Sequence, residues 1–175
     1  MTTTMYLLNL GLLAFVLWAN VGTRTVTRSR LTLPVLLVVA AGAVFLRDVP
    51  TAGQDVALEA VGIGAGVVLG VVAGALVRVD RDHVGRLVMR AGAAYAALWV
   101  AVIGGRMLFA YGADHWFPVA IGRFSMTHQI TGADAWTAAF ILLSLSMVLA
   151  RVATSAVLIS LAGRRPAPAV DLARV

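Results

Sequence analysis

Long apolar runs dominate this sequence and leave few folds open to it. Five runs stand out, at residues 5–21, 31–46, 56–77, 91–112 and 135–161. A helix needs about 20 apolar residues to cross a bilayer, and in lipid the backbone must satisfy its own hydrogen bonds. With 61% hydrophobic residues and a mean hydropathy of +0.92, the chain carries more apolar surface than a soluble domain of 175 residues can bury. These runs predict an all-α fold, a polytopic bundle of five transmembrane helices within residues 1–163.

The second run is the shortest, with 16 residues between Arg30 and Arg47. Both flanking arginines have stems long enough to reach outward to the headgroups, so the run still suffices for a span. The segment 164–175 is rich in Pro and Ala and predicts a disordered tail.

The basic residues, all of them arginine, alternate in density from loop to loop. The first loop, the third loop and the tail hold ten, whereas the second and fourth loops hold one each, Arg47 and Arg123. The positive-inside rule then predicts an N-terminus outside and a C-terminus in the cytoplasm of a bacterial plasma membrane. The same clustering argues against nucleic-acid binding despite a net charge of +6. Residues 1–23 lack the basic region of a signal peptide, so we expect no such peptide.

The third run carries glycines at every fourth position: Gly62, Gly66, Gly70 and Gly74. Small residues at this spacing let two helix backbones approach closely in lipid. The stripe predicts structural packing within the bundle, with a homodimer contact as the alternative. A phosphate-binding loop is excluded, because the run is a membrane span rather than a strand-to-helix turn.

Arginine within an apolar span is costly and calls for a partner. Arg106 lies in the fourth run, roughly 7 Å from its centre. Glu59, the only glutamate, is the first candidate for an ion pair, and Asp134, which also suits a helix N-cap, is the second. The alternative is that Arg106 binds an anionic ligand. Arg151 in the fifth run is expected to have a structural or lipid-anchoring role.

The fourth loop concentrates the residues that could carry chemistry: Asp114, His115, Arg123 and His128, among bulky aromatics. An acid–base site using Asp114, His115 or His128 is one hypothesis, with Arg123 and Arg106 holding an anionic group. The 13-residue spacing of the two histidines matches no metal motif, and cysteine is absent, so we predict no metal and no cofactor. An ordered noncatalytic lid or partner surface is the simpler interpretation, because the loop is too apolar for a solvated one.

Three stretches taken together resemble a known family. They are "TRTVTRSRLTLPVLL", "AYGADHWFP" with a following "GRF" and His128, and "AWTAAFILLSLSMVLAR". The pattern is similar to the small CcdC-like integral membrane proteins of actinobacteria and Bacillus relatives, over residues 5 to 160. The resemblance implies a link to cytochrome c biogenesis but assigns no catalytic residues. Without cysteine, the chain cannot pass electrons through thiols.

The features favour an accessory, assembly or scaffold subunit whose partners are the lipid bilayer and a membrane protein or second copy. The alternative is a small membrane enzyme acting on a lipid or isoprenoid at the outer face. A carrier or channel is less favoured, because the helices are neither polar nor broken.

Overall fold

We describe the fold from a computed structural model, which covers residues 22–25, 28–45, 53–82 and 86–164 together with Gly11 and Ala14. Apart from Gly11 and Ala14, the first predicted span lies outside the described residues, and so does the tail beyond Arg164.

Five helices and three strands make up the described part of the chain. In order they are β1 (Gly22–Thr25), α1 (Arg28–Phe45), α2 (Asp55–Ala75), β2 (Val77–Arg81), β3 (Leu87–Ala91), α3 (Ala93–His115), α4 (Pro118–Thr127) and α5 (Ala133–Arg164). The four predicted spans that fall in the described residues all appear as helices, so the helical class is confirmed.

Three of these helices, α2, α3 and α5, are long and apolar enough to cross a membrane. α1 is described as apolar over Thr32–Val44 and is not among these three. Its predicted run has 16 residues between Arg30 and Arg47, and it can span if the flanking arginines snorkel outward. α4, with 10 residues, is too short to cross.

A three-stranded antiparallel sheet is the element that the sequence did not indicate. The strand order is β1–β3–β2, so β3 is central and pairs with both neighbours. Val77 and Ala91 pair in register and are buried, whereas Arg78 and Arg90 pair on the other face and are exposed. These two pairs lie on opposite faces of the sheet, as side chains of successive residues in a strand do. The basic first and third loops are thus joined to each other rather than free.

The long helices run between two distinct ends. One end, here called the cap end, carries α4 and the connections on either side of it. The other, the sheet end, carries the sheet, and there the Arg81 guanidinium donates to the carbonyl oxygen of Ala162 at 3.4 Å. α2 and α5 both run from the cap end to the sheet end and are therefore parallel.

The glycine stripe forms the contact between α2 and α5. A Cβ added at Gly62 would lie 2.6 Å from the carbonyl oxygen of Ala139, closer than real Cβ atoms approach. Added Cβ atoms at Gly66 and Gly70 would likewise strike the α5 backbone, and one at Gly74 would lie 2.6 Å from the Cβ of Thr154. Because every glycine of the stripe faces α5, the two backbones touch along three helical turns.

A compact apolar cluster closes the bundle at the sheet end. Its fully buried members are Ala73, Tyr95 and Met147, from α2, α3 and α5 respectively. Val77 and Ala91 of the sheet belong to the same cluster, so the sheet packs against the helices through its apolar face.

Candidate functional site

The cap end gathers most of the polar and aromatic side chains that could serve a function. The connection between α4 and α5 folds back onto the start of α2, where Asp55 is fully buried. The Asp55 carboxylate accepts hydrogen bonds from both the backbone N–H and the hydroxyl of Thr131, the former at 2.9 Å. Bonds to a charged acceptor are the stronger kind, so this contact tethers the connection to α2.

A second set of contacts reinforces the tether. The backbone N–H of Gln54 donates to the carbonyl oxygen of Gln129 at 3.3 Å. Gly53 lies against the same carbonyl in a left-handed conformation, with φ of +56°. A side chain at that position would be strained and would strike Gln129. The turn before α2 and the connection before α5 therefore fit together backbone to backbone.

α4 is held on its inner side by two contacts. Ser125 is buried, and its hydroxyl accepts a hydrogen bond from the indole nitrogen of Trp136 at 3.2 Å. Phe117 packs over Gly112, where an added Cβ would collide with the ring. The short helix is thus fixed at both of its ends to α3 and α5.

An aromatic cluster fills the space between α3 and α5 below this cap. Phe109 is its centre, with ring centroids 5.3 Å from Trp136, 5.2 Å from Phe140 and 6.2 Å from Phe117. These spacings are typical of favourable tilted aromatic pairs. The cluster is what connects α3 to α5 in the half of the bundle near the cap.

Arg106 lies against this cluster, with its guanidinium carbon 5.9 Å from the centre of the Phe140 ring. That is the outer limit of a cation–π contact. Among the described residues Arg106 forms no ion pair with Glu59 or Asp134. Phe140, rather than a carboxylate, is therefore the neighbour that the fold provides for this arginine.

Glu59 lies on α2 rather than beside Arg106 as an ion-pair partner. It sits one turn below Asp55 on α2, on the stripe that faces α5, and is only 8% exposed. Its Oε1 atom has no hydrogen-bond partner within the described residues. An intramembrane carboxyl in this position is rare and costly, which makes it a functional candidate in its own right.

The two histidines are engaged by their own helices rather than by each other. Nδ1 of His115 lies 3.1 Å from the carbonyl oxygen of Tyr111, and the two rings stack at 4.2 Å. Nδ1 of His128 lies 3.0 Å from the carbonyl oxygen of Phe124, with stacking at 4.1 Å. Each histidine side chain thus folds back onto the last turn of its own helix through a local contact.

The remaining predicted site residues are dispersed. Asp114 and Arg123 are exposed, on α3 and α4. Asp134 is exposed in the first turn of α5, which starts at Ala133, so the predicted N-cap role is wrong by position. The negative charge of Asp134 is still favourable there, because it lies near the positive end of the helix dipole. Within the described ranges, no three His, Asp or Glu side chains lie together as a metal site would require.

Arg151 lies at the other end of the bundle. Its guanidinium carbon is 5.2 Å from the centre of the buried Tyr95 ring, and Thr154 one turn later packs against Gly74. The arginine therefore links α5 to α3 beneath the sheet.

Sequence reasoning missed the Asp55–Thr131 tether and the Ser125–Trp136 bond. A signal for Asp55 was present, because positions 55, 59 and 62 continue the glycine stripe at helical spacing. Thr131 lies 76 residues from Asp55, and Trp136 lies 11 residues from Ser125. Neither contact is therefore indicated by a periodic pattern in the sequence.

Long apolar helices, a close glycine contact and an anchored cap define an integral membrane protein of the helical-bundle class. The family comparison is specific: the CcdC protein family model matches residues 2–154, and the chain belongs to that family. No curated protein and no solved structure matches the chain.

Proposed function

We propose that this chain is an accessory or assembly subunit of a membrane complex that serves cytochrome c biogenesis, and that α4 is its docking surface. Family membership supports the process, and the exposed stripe on an anchored α4 supports the docking. In this proposal the chain spans a bacterial plasma membrane five times, with its N-terminus outside and its C-terminus in the cytoplasm. The strong bias of arginine toward the sheet end supports that orientation.

The stripe on α4 is the observation that carries the docking proposal. Val119, Arg123 and Met126 follow one another at helical spacing and are all exposed, Val119 by 73% and Met126 by 77%. The opposite side of the helix is fixed through Ser125. A rigid helix that presents anchors at positions i, i+4 and i+7 is a common mode of recognition between helices. The matching partner has an apolar surface with a carboxylate opposite Arg123.

In-cell photo-crosslinking tests the docking directly. A photoreactive amino acid replaces Met126 in the full-length chain, and the matched control places it at Val61, which is also exposed but lies on α2. We expect a discrete protein adduct from position 126 and only lipid adducts from position 61. Lipid adducts from both positions would refute a protein partner.

A functional readout follows from the same surface. Replacing Met126 by aspartate puts a charge on the stripe without touching the buried side of α4. In the native host, we expect lower haem-staining c-type cytochrome, with unchanged levels of the protein itself. Unchanged cytochrome in this variant and in a deletion strain would refute the link to biogenesis, while leaving the docking test intact.

A further inference from the structure

One face of the sheet places two arginines directly opposite each other. Arg78 on β2 and Arg90 on β3 are register partners, and both are exposed. Residues directly opposite in an antiparallel pair have Cβ atoms about 4.5–5.5 Å apart, and like charges there are destabilising. The fold therefore maintains a concentrated positive charge that would be relieved by a bound anion.

Asp80 is a carboxylate that the fold brings to this pair, and it compensates only in part. Its Oδ2 lies 3.9 Å from Nε of Arg90, and the two side chains are 53% and 59% exposed. Exposed pairs at this distance contribute little. Two arginines and one aspartate leave a net charge of +1 on this face, which matches a single phosphodiester.

The position of the pair indicates where such an anion comes from. Arg78 lies three residues beyond the end of α2, and Arg90 lies three residues before the start of α3. At about 3.3 Å per residue, both lie within about 10 Å of the ends of the apolar helices. The headgroup layer occupies about 5–8 Å on each side of the hydrocarbon, and arginine stems are long enough to reach it. The anion that is abundant at this depth is the phosphate of a phospholipid.

We propose that Arg78 and Arg90 form a binding site for the headgroup phosphate of an anionic phospholipid. The planar guanidinium forks suit bidentate hydrogen bonds to phosphate oxygens. A zwitterionic lipid brings its own cation, which the second arginine would repel, so the site discriminates by net charge. This inference is independent of the partner proposed for α4, because it concerns the opposite end of the bundle.

Native mass spectrometry of the purified full-length protein in mild detergent tests the site. The probes are phosphatidylglycerol and phosphatidylcholine with identical acyl chains. Each arginine near an anionic headgroup contributes about 1 kcal/mol, so two arginines correspond to a binding preference of about thirtyfold for phosphatidylglycerol over phosphatidylcholine. In the double variant R78Q/R90Q we expect this preference to fall to within about threefold of unity.

The matched control is the double variant R86Q/R164Q, which removes two exposed arginines at the sheet end that are not register partners in the paired strands. It should retain the preference. Equal losses in the two double variants would show diffuse electrostatic attraction and overturn the site. Retention of the preference in R78Q/R90Q would overturn it as well.

Two further measurements keep the test decisive. If R78Q/R90Q is not recovered folded, the single variant R78Q serves, because Asp80 and Arg90 then remain paired. We expect phosphatidylglycerol to raise the Tm of the wild type more than that of R78Q. Inorganic phosphate at millimolar concentration should not displace the lipid. Displacement would identify a site for free anions instead and overturn the lipid assignment.

Discussion

Replacement of Gly62 by alanine tests the packing that holds this bundle together. The added Cβ would lie 2.6 Å from the carbonyl oxygen of Ala139 and 3.2 Å from its carbon, whereas ordinary contact begins near 3.4 Å. The two backbones must therefore separate by about 0.8 Å, and a gap of that size forfeits about a quarter to a half of each dispersion contact. Because the obstacle is backbone and cannot rotate away, we expect the free energy of unfolding to fall by about 1–3 kcal/mol.

Gly64 provides the matched control on the same helix. A Cβ there meets nothing within 4 Å, and the residue is exposed. Alanine has the higher helix propensity, so Gly64→Ala should be neutral or slightly stabilising. Both variants can be unfolded with sodium dodecyl sulfate from mild-detergent micelles, with helical content followed by circular dichroism. Equal stabilities of the two variants would refute the close contact between α2 and α5.

Three further results are expected at the cap end. The effects of Glu59→Ala and Arg106→Ala on the free energy of unfolding should add to within about 0.5 kcal/mol in a double-mutant cycle, because the two side chains do not pair. A coupling energy above about 1 kcal/mol would contradict this. Asp55→Ala should cost about 1.5–3 kcal/mol, and in limited proteolysis it should speed cleavage near Thr131, whereas an unchanged cleavage pattern would argue against the tether. Gly53→Ala should lower the Tm, since its φ of +56° costs about 1–2 kcal/mol for a residue with a Cβ.

The helices could be predicted from the sequence because each one is a local property. α2, α3 and α5 match three predicted runs to within a few residues. A long apolar run in lipid must form a helix, because its backbone has to satisfy its own hydrogen bonds. α1 (Arg28–Phe45) likewise falls on the second predicted run.

The sheet could not be predicted because its pairing is not local. β1 pairs with β3, more than 60 residues further along the chain, and each strand has only four or five residues. Because the strand sequences contain arginines, they resemble the sequences of solvated loops. The alternation of apolar and charged residues in "VRVDR" was present, but five residues are too few to distinguish a strand from a loop.

The predicted pairing of Glu59 with Arg106 was based on membrane depth alone. Sequence places both residues in the same half of the membrane, and a charge at that depth calls for a partner. It does not reveal which way each helix is rotated. In the structure Glu59 faces α5 along the glycine stripe, whereas Arg106 faces Phe140 from α3. Two side chains at one depth can thus have different neighbours.

The α2–α5 pair connects the two ends of the bundle mechanically. At its first residue, Asp55, α2 holds the connection that precedes α5, and one residue after its end it continues into β2. α5 in turn begins at that connection and reaches the sheet end, where Ala162 accepts a hydrogen bond from Arg81. Because the glycine stripe leaves no space between these helices, they cannot slide or separate without breaking a contact at one end. Occupancy of the arginine pair on the sheet should therefore stabilise the cap, and the sign of that coupling can be read from protease protection near Thr131 with and without anionic lipid.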